Sequence, residues 1–331
     1  MEVRKIQTTT AGTFLVTIPK DWAAKMGLEK GSHVHMDLED EHLVVSAVSR
    51  RQVTQSRPLE IDEFLDKKMV ELSIGAAYIQ GHDVTEIVTK DKVLPEQKKR
   101  WIRETVDNLI GVEISEEYSD RMVLQNIVDP RTFDLDRSMR KFSDSSLAVL
   151  SDAVVGLKRS DTALAQDAYE RGLQSTKFYK LLMRLALQIL RDRSLRDELK
   201  MYNPDGLVAR IMAVKDLGRS AYYAYRVAQH VTEVERLDSS TMSAVEKMAR
   251  TTIRMQEDAF EAFMKKDLGL ASTVIDRMDE VRRTYQATFS SFPKNPGEGK
   301  ALPYSLIVRD IRGIAGYAVA LADDAVLAAF F

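Results

Sequence analysis

Four cations near the start of the chain, Arg4, Lys5, Lys20 and Lys25, are the side chains whose chemistry is easiest to assign. An acidic group follows them, Asp37, Glu39, Asp40 and Glu41. A unit folded from residues 1–50 is therefore polarised, with one face suited to phosphates and the other turned away. The hydroxyls of Thr8, Thr9 and Thr10 lie in a short loop that Gly12 makes pliable enough to follow a nucleic-acid backbone. Contacts of this kind place a protein on DNA but do not choose a sequence. In a dimer the four cations double to about eight, which predicts a steep dependence of binding on salt.

Other reactive constellations are missing. The chain has no cysteine, which excludes disulfides, thiolate zinc sites, iron–sulfur clusters and cysteine nucleophiles. Five histidines, His33, His35, His42, His82 and His230, are scattered. His33 and His35 are expected on one strand face with His42 opposite, a candidate transition-metal trio, although exposed strand histidines usually bind nothing. No G-x-x-x-x-G-K loop occurs, and the pair Glu116-Glu117 sits beside a turn where solvation is the default. Acid, base and nucleophile converge nowhere, so the chain is expected to be no enzyme and to carry no cofactor.

The elements that must hold these residues fall into three regions. A length of 331 residues calls for two or three domains, and a formal charge of -2 confines any nucleic-acid contact to a local patch. Residues 1–50 alternate as short strands around one turn of helix over 22–26, capped by Asp21 and closed by Gly27, with a second hairpin reversing at the acidic turn. So small a module is expected to need a second copy to complete its core. A polar linker, 50–58, leads to a compact α/β segment, 59–130, with a helix through Phe64, Leu65, Val70 and Ile74, a strand over 84–88, and a helix that Pro95 opens and Gly111 closes. Strands over 112–115 and 122–128 complete it.

From 131 onward only helical periodicity remains, and it repeats. Asp161-Thr-Ala-Leu164-Ala165, running to Glu170-Arg171, is matched by Asp267-Leu-Gly-Leu270-Ala271, running to Asp276-Arg277; Val214-Lys-Asp216-Leu217, leading to Ala221 and Tyr223-Ala224, is matched by Val308-Arg-Asp310-Ile311, leading to Ala315 and Tyr317-Ala318. Tandem three-helix bundles are expected over 131–235 and 236–331, with Pro293, Pro296, Gly297 and Gly299 breaking the last pair of helices. The apolar run 314–331 is too short, and too interrupted by Asp323 and Asp324, to span a bilayer. With Glu2, Arg4 and Lys5 where a signal peptide would turn apolar, a cytoplasmic protein with no stable membrane insertion is expected.

The order Arg4-Lys5-Ile6-Gln7, Ile18-Pro19-Lys20, Trp22, Gly27-Leu28 and Lys30-Gly31 resembles the SpoVT/AbrB family over about the first fifty residues. That resemblance implies two chains interleaving their hairpins into one swapped β-barrel that grips DNA. The duplicated bundles resemble the PhoU family, and an AbrB-like start joined to a PhoU-like end is the arrangement of archaeal PhoU-type phosphate uptake regulators. The PhoU signature on the third helix of each bundle reads roughly Asp-Leu-Glu-Arg-Ile-Gly-Asp-His/Tyr-Ala, and its Glu and second Asp hold metal. Here Asp216, Leu217, Arg219 and Ala224 keep the framework of the first copy, but Gly218 and Tyr222 stand at the ligand positions. In the second copy Arg312 and Gly316 stand there. Neither set can ligate a hard cation, so no bound metal is expected. Asp216 and Asp310 are expected as helix-to-helix polar partners, Gly218, Gly313 and Gly316 as close-packing positions, and Tyr222, Tyr223, Tyr225 and Tyr317 as core or interface residues.

The expected molecule is a multidomain α+β homodimer: a swapped-hairpin β-barrel, a small α/β middle segment, then all-α tandem bundles. It would bind DNA, regulate phosphate homeostasis, and take its signal on the bundles from a ligand or a partner such as a phosphate-transporter ATPase. The rival is an adaptor that docks on the transporter and uses the β module only to dimerise.

Overall fold

The computed structural model describes residues 3–39, 42–47, 58–61, 66–90, 93–234, 237–290 and 301–330. The expectations placed on Asp40 and Glu41, on most of the linker, on Phe64 and Leu65, and on Pro293, Pro296, Gly297 and Gly299 lie outside the described residues. The chain divides into two compact units, Met1–Val53 and Thr54–Phe331.

In the first unit β1 (Gln7–Thr8) pairs antiparallel with β2 (Phe14–Leu15), Gln7 against Leu15. Gly12, at φ +81, supplies the left-handed residue of the connecting turn. Helix α1 (Lys20–Lys25) follows Pro19, which is its N-cap; Asp21 sits in the first turn and is not the cap. Proline's fixed φ and missing N–H suit a helix start, and that leaves Asp21 to face the positive end of the helix from within. β3 (Val34–Glu39) pairs antiparallel with β4 (His42–Ala47) from Val34↔Ala47 to Glu39↔His42, and the two hairpins form separate sheets. Directly opposed residues share a face. One face of the second hairpin is thus Val34, Met36, Leu38, Leu43, Val45 and Ala47, wholly apolar. No described residue of this unit is buried.

The second unit begins with a four-stranded sheet, order β5-β6-β8-β7, made of β5 (Leu59–Glu60), β6 (Val84–Val88), β7 (Val112–Glu117) and β8 (Arg121–Asn126). β5 lies parallel to β6, and the other pairs are antiparallel. The strand β5 goes beyond the sequence reading; two residues give no alternation to detect. Helices α2 (Lys67–Ile79) and α3 (Glu96–Val106) join the sheet around a core of Val70, Ile74, Tyr78, Ile87, Ile102 and Met122. Asp66 caps α2 by accepting from the N–H of Met69, and Pro95 precedes α3. Gly111, at φ +70, lies in the turn ahead of β7 and not at the end of α3.

Six long helices follow: α4 (Leu135–Arg159), α5 (Thr162–Arg191), α7 (Pro204–Thr232), α8 (Ser239–Lys265), α9 (Leu268–Ser290) and α10 (Ala301–Ala329), with a short α6 (Arg193–Glu198) before α7. The duplication extends to atomic detail. Ser160 and Lys266 each end a first helix at φ 55, and Asp161 and Asp267 each cap a second by accepting the N–H of Leu164 or Leu270. Arg171 pairs with Asp152 in one copy, Arg277 with Asp258 in the other, related by one constant offset. α7 and α10, the third helices, pack on each other as well as within their own bundles, so both copies share one apolar core.

Candidate functional site

The four N-terminal cations are all exposed, as are Thr8 and Thr10. Arg4 and Lys5 precede β1, whereas Lys20 and Lys25 open and close α1. Five residues apart on a helix, those two lysines point about 140° away from one another. Thr9 holds the loop together. Its Oγ1 accepts the N–H of Thr13 and its carbonyl accepts the N–H of Gly12, which makes the loop a closed turn. The histidine trio does not form. His35 pairs with Ser46 and His42 with Glu39, at opposite ends of the hairpin, and His33 lies ahead of the strand. Strand register, which a short sequence leaves open, separates them.

Of the four positions where the resemblance implies ligands, Gly218 and Arg312 lie against aromatic rings, Tyr222 packs among other tyrosines, and Gly316 is open. A Cβ on Gly218 would run into Cδ2 and Cε2 of Tyr179, so the Tyr179 ring occupies the place of a side chain at 218. In the second copy the counterpart ring, Tyr285, lies under the Arg312 guanidinium, 5.0 Å from centroid to carbon. Tyr222 sits edge-on to Tyr223 and Tyr225, with the Arg226 guanidinium 5.5 Å from its ring. Gly316 has nothing within 4 Å of a Cβ, so it is not a close-packing glycine. Gly313, 3.3 Å from the Tyr223 ring, and Gly172, where a Cβ would run into Cβ of Tyr225, are. No group of three or more potential ligands is found among the described residues.

The buried polar chemistry lies on the α7–α10 seam, and the helices run antiparallel there. The offset that takes Val214 to Val308 and Tyr223 to Tyr317 takes Asp216 to Asp310 and His230 to Asp324. At one end Asp310, fully buried, lies 3.1 Å from Arg226 Nε and 3.5 Å from His230 Nε2, and accepts from Arg309 Nε at 3.0 Å. In the middle Tyr223 stacks on Tyr317, ring centroids 5.9 Å apart. At the other end the same relation sets Asp324, the counterpart of His230, toward Asp216, the counterpart of Asp310. Burial holds the His230 imidazole below its ordinary value, chiefly by desolvation against the pull of Asp310. Burial raises the Asp216 carboxyl against the pull of Lys215, and pushes the Asp324 carboxyl up to about 7, with the Asp216 charge adding to the effect. Asp310 is the helix-to-helix partner expected from sequence, whereas the ion pair of Asp216 is with Lys215 of its own helix. Sequence pattern does not single out Arg226, His230 or Asp324 for this seam, because their partners lie a whole repeat away and only the repeat alignment relates them.

A further buried cation joins the α/β segment to the first bundle. Arg184 on α5, with no exposed surface, donates to the carbonyls of Tyr78 and His82, both at 2.8 Å, and to Asp83 Oδ1 at 2.9 Å. Arg191 and Gln188 reach the carbonyls of Gln80 and Gly81. A groove of about 880 Å³ opens where α7 begins, and its arginines are already engaged, Arg210 by Asp136 and Arg131 by Glu198.

Residues 245–325 match the model of the PhoU domain family. The structure resembles that of PhoU from Pseudomonas aeruginosa at a TM-score of 0.52 and 20% identity, covering 60% of this chain and 96% of that one. It also resembles the phosphate transport system regulatory protein PhoU from Streptococcus pneumoniae, at 0.46 and 17%, covering 59% and 92%. A search of curated proteins gives no match. The helical part of the chain has the fold of the Pseudomonas protein, and the stretch matched by the family model lies within the second bundle.

Proposed function

We propose that this protein is a homodimeric, DNA-binding transcriptional regulator of phosphate uptake, in which the N-terminal units hold DNA and the bundles receive the signal. The observation that carries the reading is the bare face of the second hairpin, where Met36 is 59% exposed, Leu38 85% and Leu43 49%. Phe14, Val16 and Ile18 are exposed as well. A unit with this much apolar surface and no buried residue among those described gains its stability by covering that surface. A second copy of the same hairpin offers a self-complementary face, the geometry of a two-fold interface. The interleaved SpoVT/AbrB-like barrel is such an arrangement, and it doubles Arg4, Lys5, Lys20 and Lys25, with Thr8, Thr9 and Thr10, along one duplex.

The PhoU domain over 245–325 supports the phosphate half of the reading. A transporter ATPase or a small ligand acts on the bundles and shifts the balance between DNA-binding arrangements; only a differential affinity for the two can do so. The protein acts in the cytoplasm and needs neither metal nor catalytic chemistry; no helix among the described residues is long and apolar enough to cross a membrane. The test is a fluorescence-anisotropy titration of the full chain against random duplex DNA at low and high salt. Tight binding that falls steeply with salt is expected. Salt-independent or undetectable binding by a dimeric protein would leave the transporter adaptor as the better reading.

A further inference from the structure

The two ends of the α7–α10 seam are equivalent by duplication and opposite in charge. At the Asp310 end one buried carboxylate meets Arg226, Arg309 and the imidazole of His230. At the other end the position of His230 is taken by Asp324, only 3% exposed, whose Oδ2 has no hydrogen-bond partner. Asp216, 8% exposed, acts on it from α7. Among the described residues the cation paired there is Lys215, 3.7 Å from Asp216 but with a side chain 65% exposed to solvent. Among the described residues the other charge that acts on Asp324 is Asp323, on α10 itself.

Two carboxyl groups removed from water beside one another do not both ionise at little cost, since each charge disfavours the next and burial disfavours both. The geometry points to a proton-linked joint: Asp324, buried with an unpartnered Oδ2 on the side of the seam that holds Asp216, keeps its proton while the seam is closed, and loss of that proton loosens this end of the α7–α10 contact while the Asp310 end stays shut. The sign follows from linkage. The Asp324 carboxyl is raised to about 7 in the folded state from an ordinary 3.8. Its stabilising contribution is complete below the ordinary value and is lost as pH rises through the folded one. At the Asp310 end burial lowers the His230 imidazole, so that group adds no loss as pH rises over the same window.

Amide exchange by mass spectrometry, corrected for the intrinsic pH dependence of exchange, tests the joint on the full chain at pH 6.0 and 8.5. With a folded-state carboxyl that titrates between those pH values, local opening at the Asp324 end should increase about tenfold from the lower to the higher. Protection in the last third of α10 and the first half of α7 should fall accordingly, and that around Asp310 should not. Asp324→Asn, which imitates the protonated acid, should hold protection at the Asp324 end within about twofold across the range. Asp216→Asn removes the smaller of the two causes and should shrink the pH response without abolishing it, which serves as the test if the first variant folds poorly. Equal pH responses at the two ends of the wild-type seam, or a response unchanged in both variants, would overturn the proposal.

Discussion

Replacing Arg184 with Met tests how the α/β segment is held to the bundles. The guanidinium has no solvent contact, and it reaches two carbonyls at the end of α2 and the Asp83 carboxylate, with the Tyr78 ring 5.1 Å from its centre. Methionine keeps most of the volume and none of the donors. Its loss leaves a carboxylate that is 8% exposed without its buried countercharge and removes a charged donor from two carbonyls. Breaking a buried pair on one side costs about 3–5 kcal/mol, and each carbonyl left short of a donor about 1–3 kcal/mol, in part recovered by water. A net cost of about 4 kcal/mol is expected, confined to the docking of residues 59–130 on α5. Trp101, half-buried in α3, reports that segment, and in a Trp22→Phe background it is the chain's one tryptophan. A urea titration followed at Trp101 should move to a lower midpoint. Adding Asp83→Asn should recover about half the loss, because the buried charge that Arg184 offsets is then absent as well. A cost below about 1 kcal/mol, or a double variant as unstable as the sum of the singles, would refute the reasoning.

Two helix glycines at the signature positions should respond in opposite directions to alanine. Gly218→Ala forces the Tyr179 ring to move and should cost about 1–3 kcal/mol, whereas Gly316→Ala meets open space and should gain up to about 1 kcal/mol; thermal melts of the two variants check the contrast. Gly172→Ala presses on Cα of Tyr225 at 3.1 Å as well as its Cβ and should lower the melting temperature more than Gly218→Ala does, since backbone yields less than a ring. Lys20→Ala should weaken binding to all DNA sequences alike and flatten the salt dependence, with a slope lower by about 2 per dimer in a log–log plot if each copy loses one phosphate contact.

Much of the bundle architecture was legible because long amphipathic helices announce themselves and the second copy repeats the first. The αL residues Ser160 and Lys266 and their following aspartates fall where the repeat puts them. Short elements were less legible. β5 has two residues, the true cap of α1 is a proline outside the expected aspartate, and His33, His35 and His42 are parted by a strand register that no local pattern fixes. The missing ligands at Gly218 and Arg312 can be read directly, but the rings of Tyr179 and Tyr285 that fill those places cannot, since they come from other helices. The seam acids need both the repeat and the fold: Asp324 reads as an interruption in an apolar run until antiparallel packing sets it against Asp216.

The most direct measurement is the solution mass of the intact chain, by sedimentation equilibrium at micromolar concentration, beside a Leu38→Glu variant. The account predicts twice the chain mass of 37.5 kDa for the intact protein. It predicts a single chain mass for the variant, because a charge then stands within the shared apolar face, at its most exposed residue. An intact chain that sediments alone, or a variant that stays paired, would contradict it.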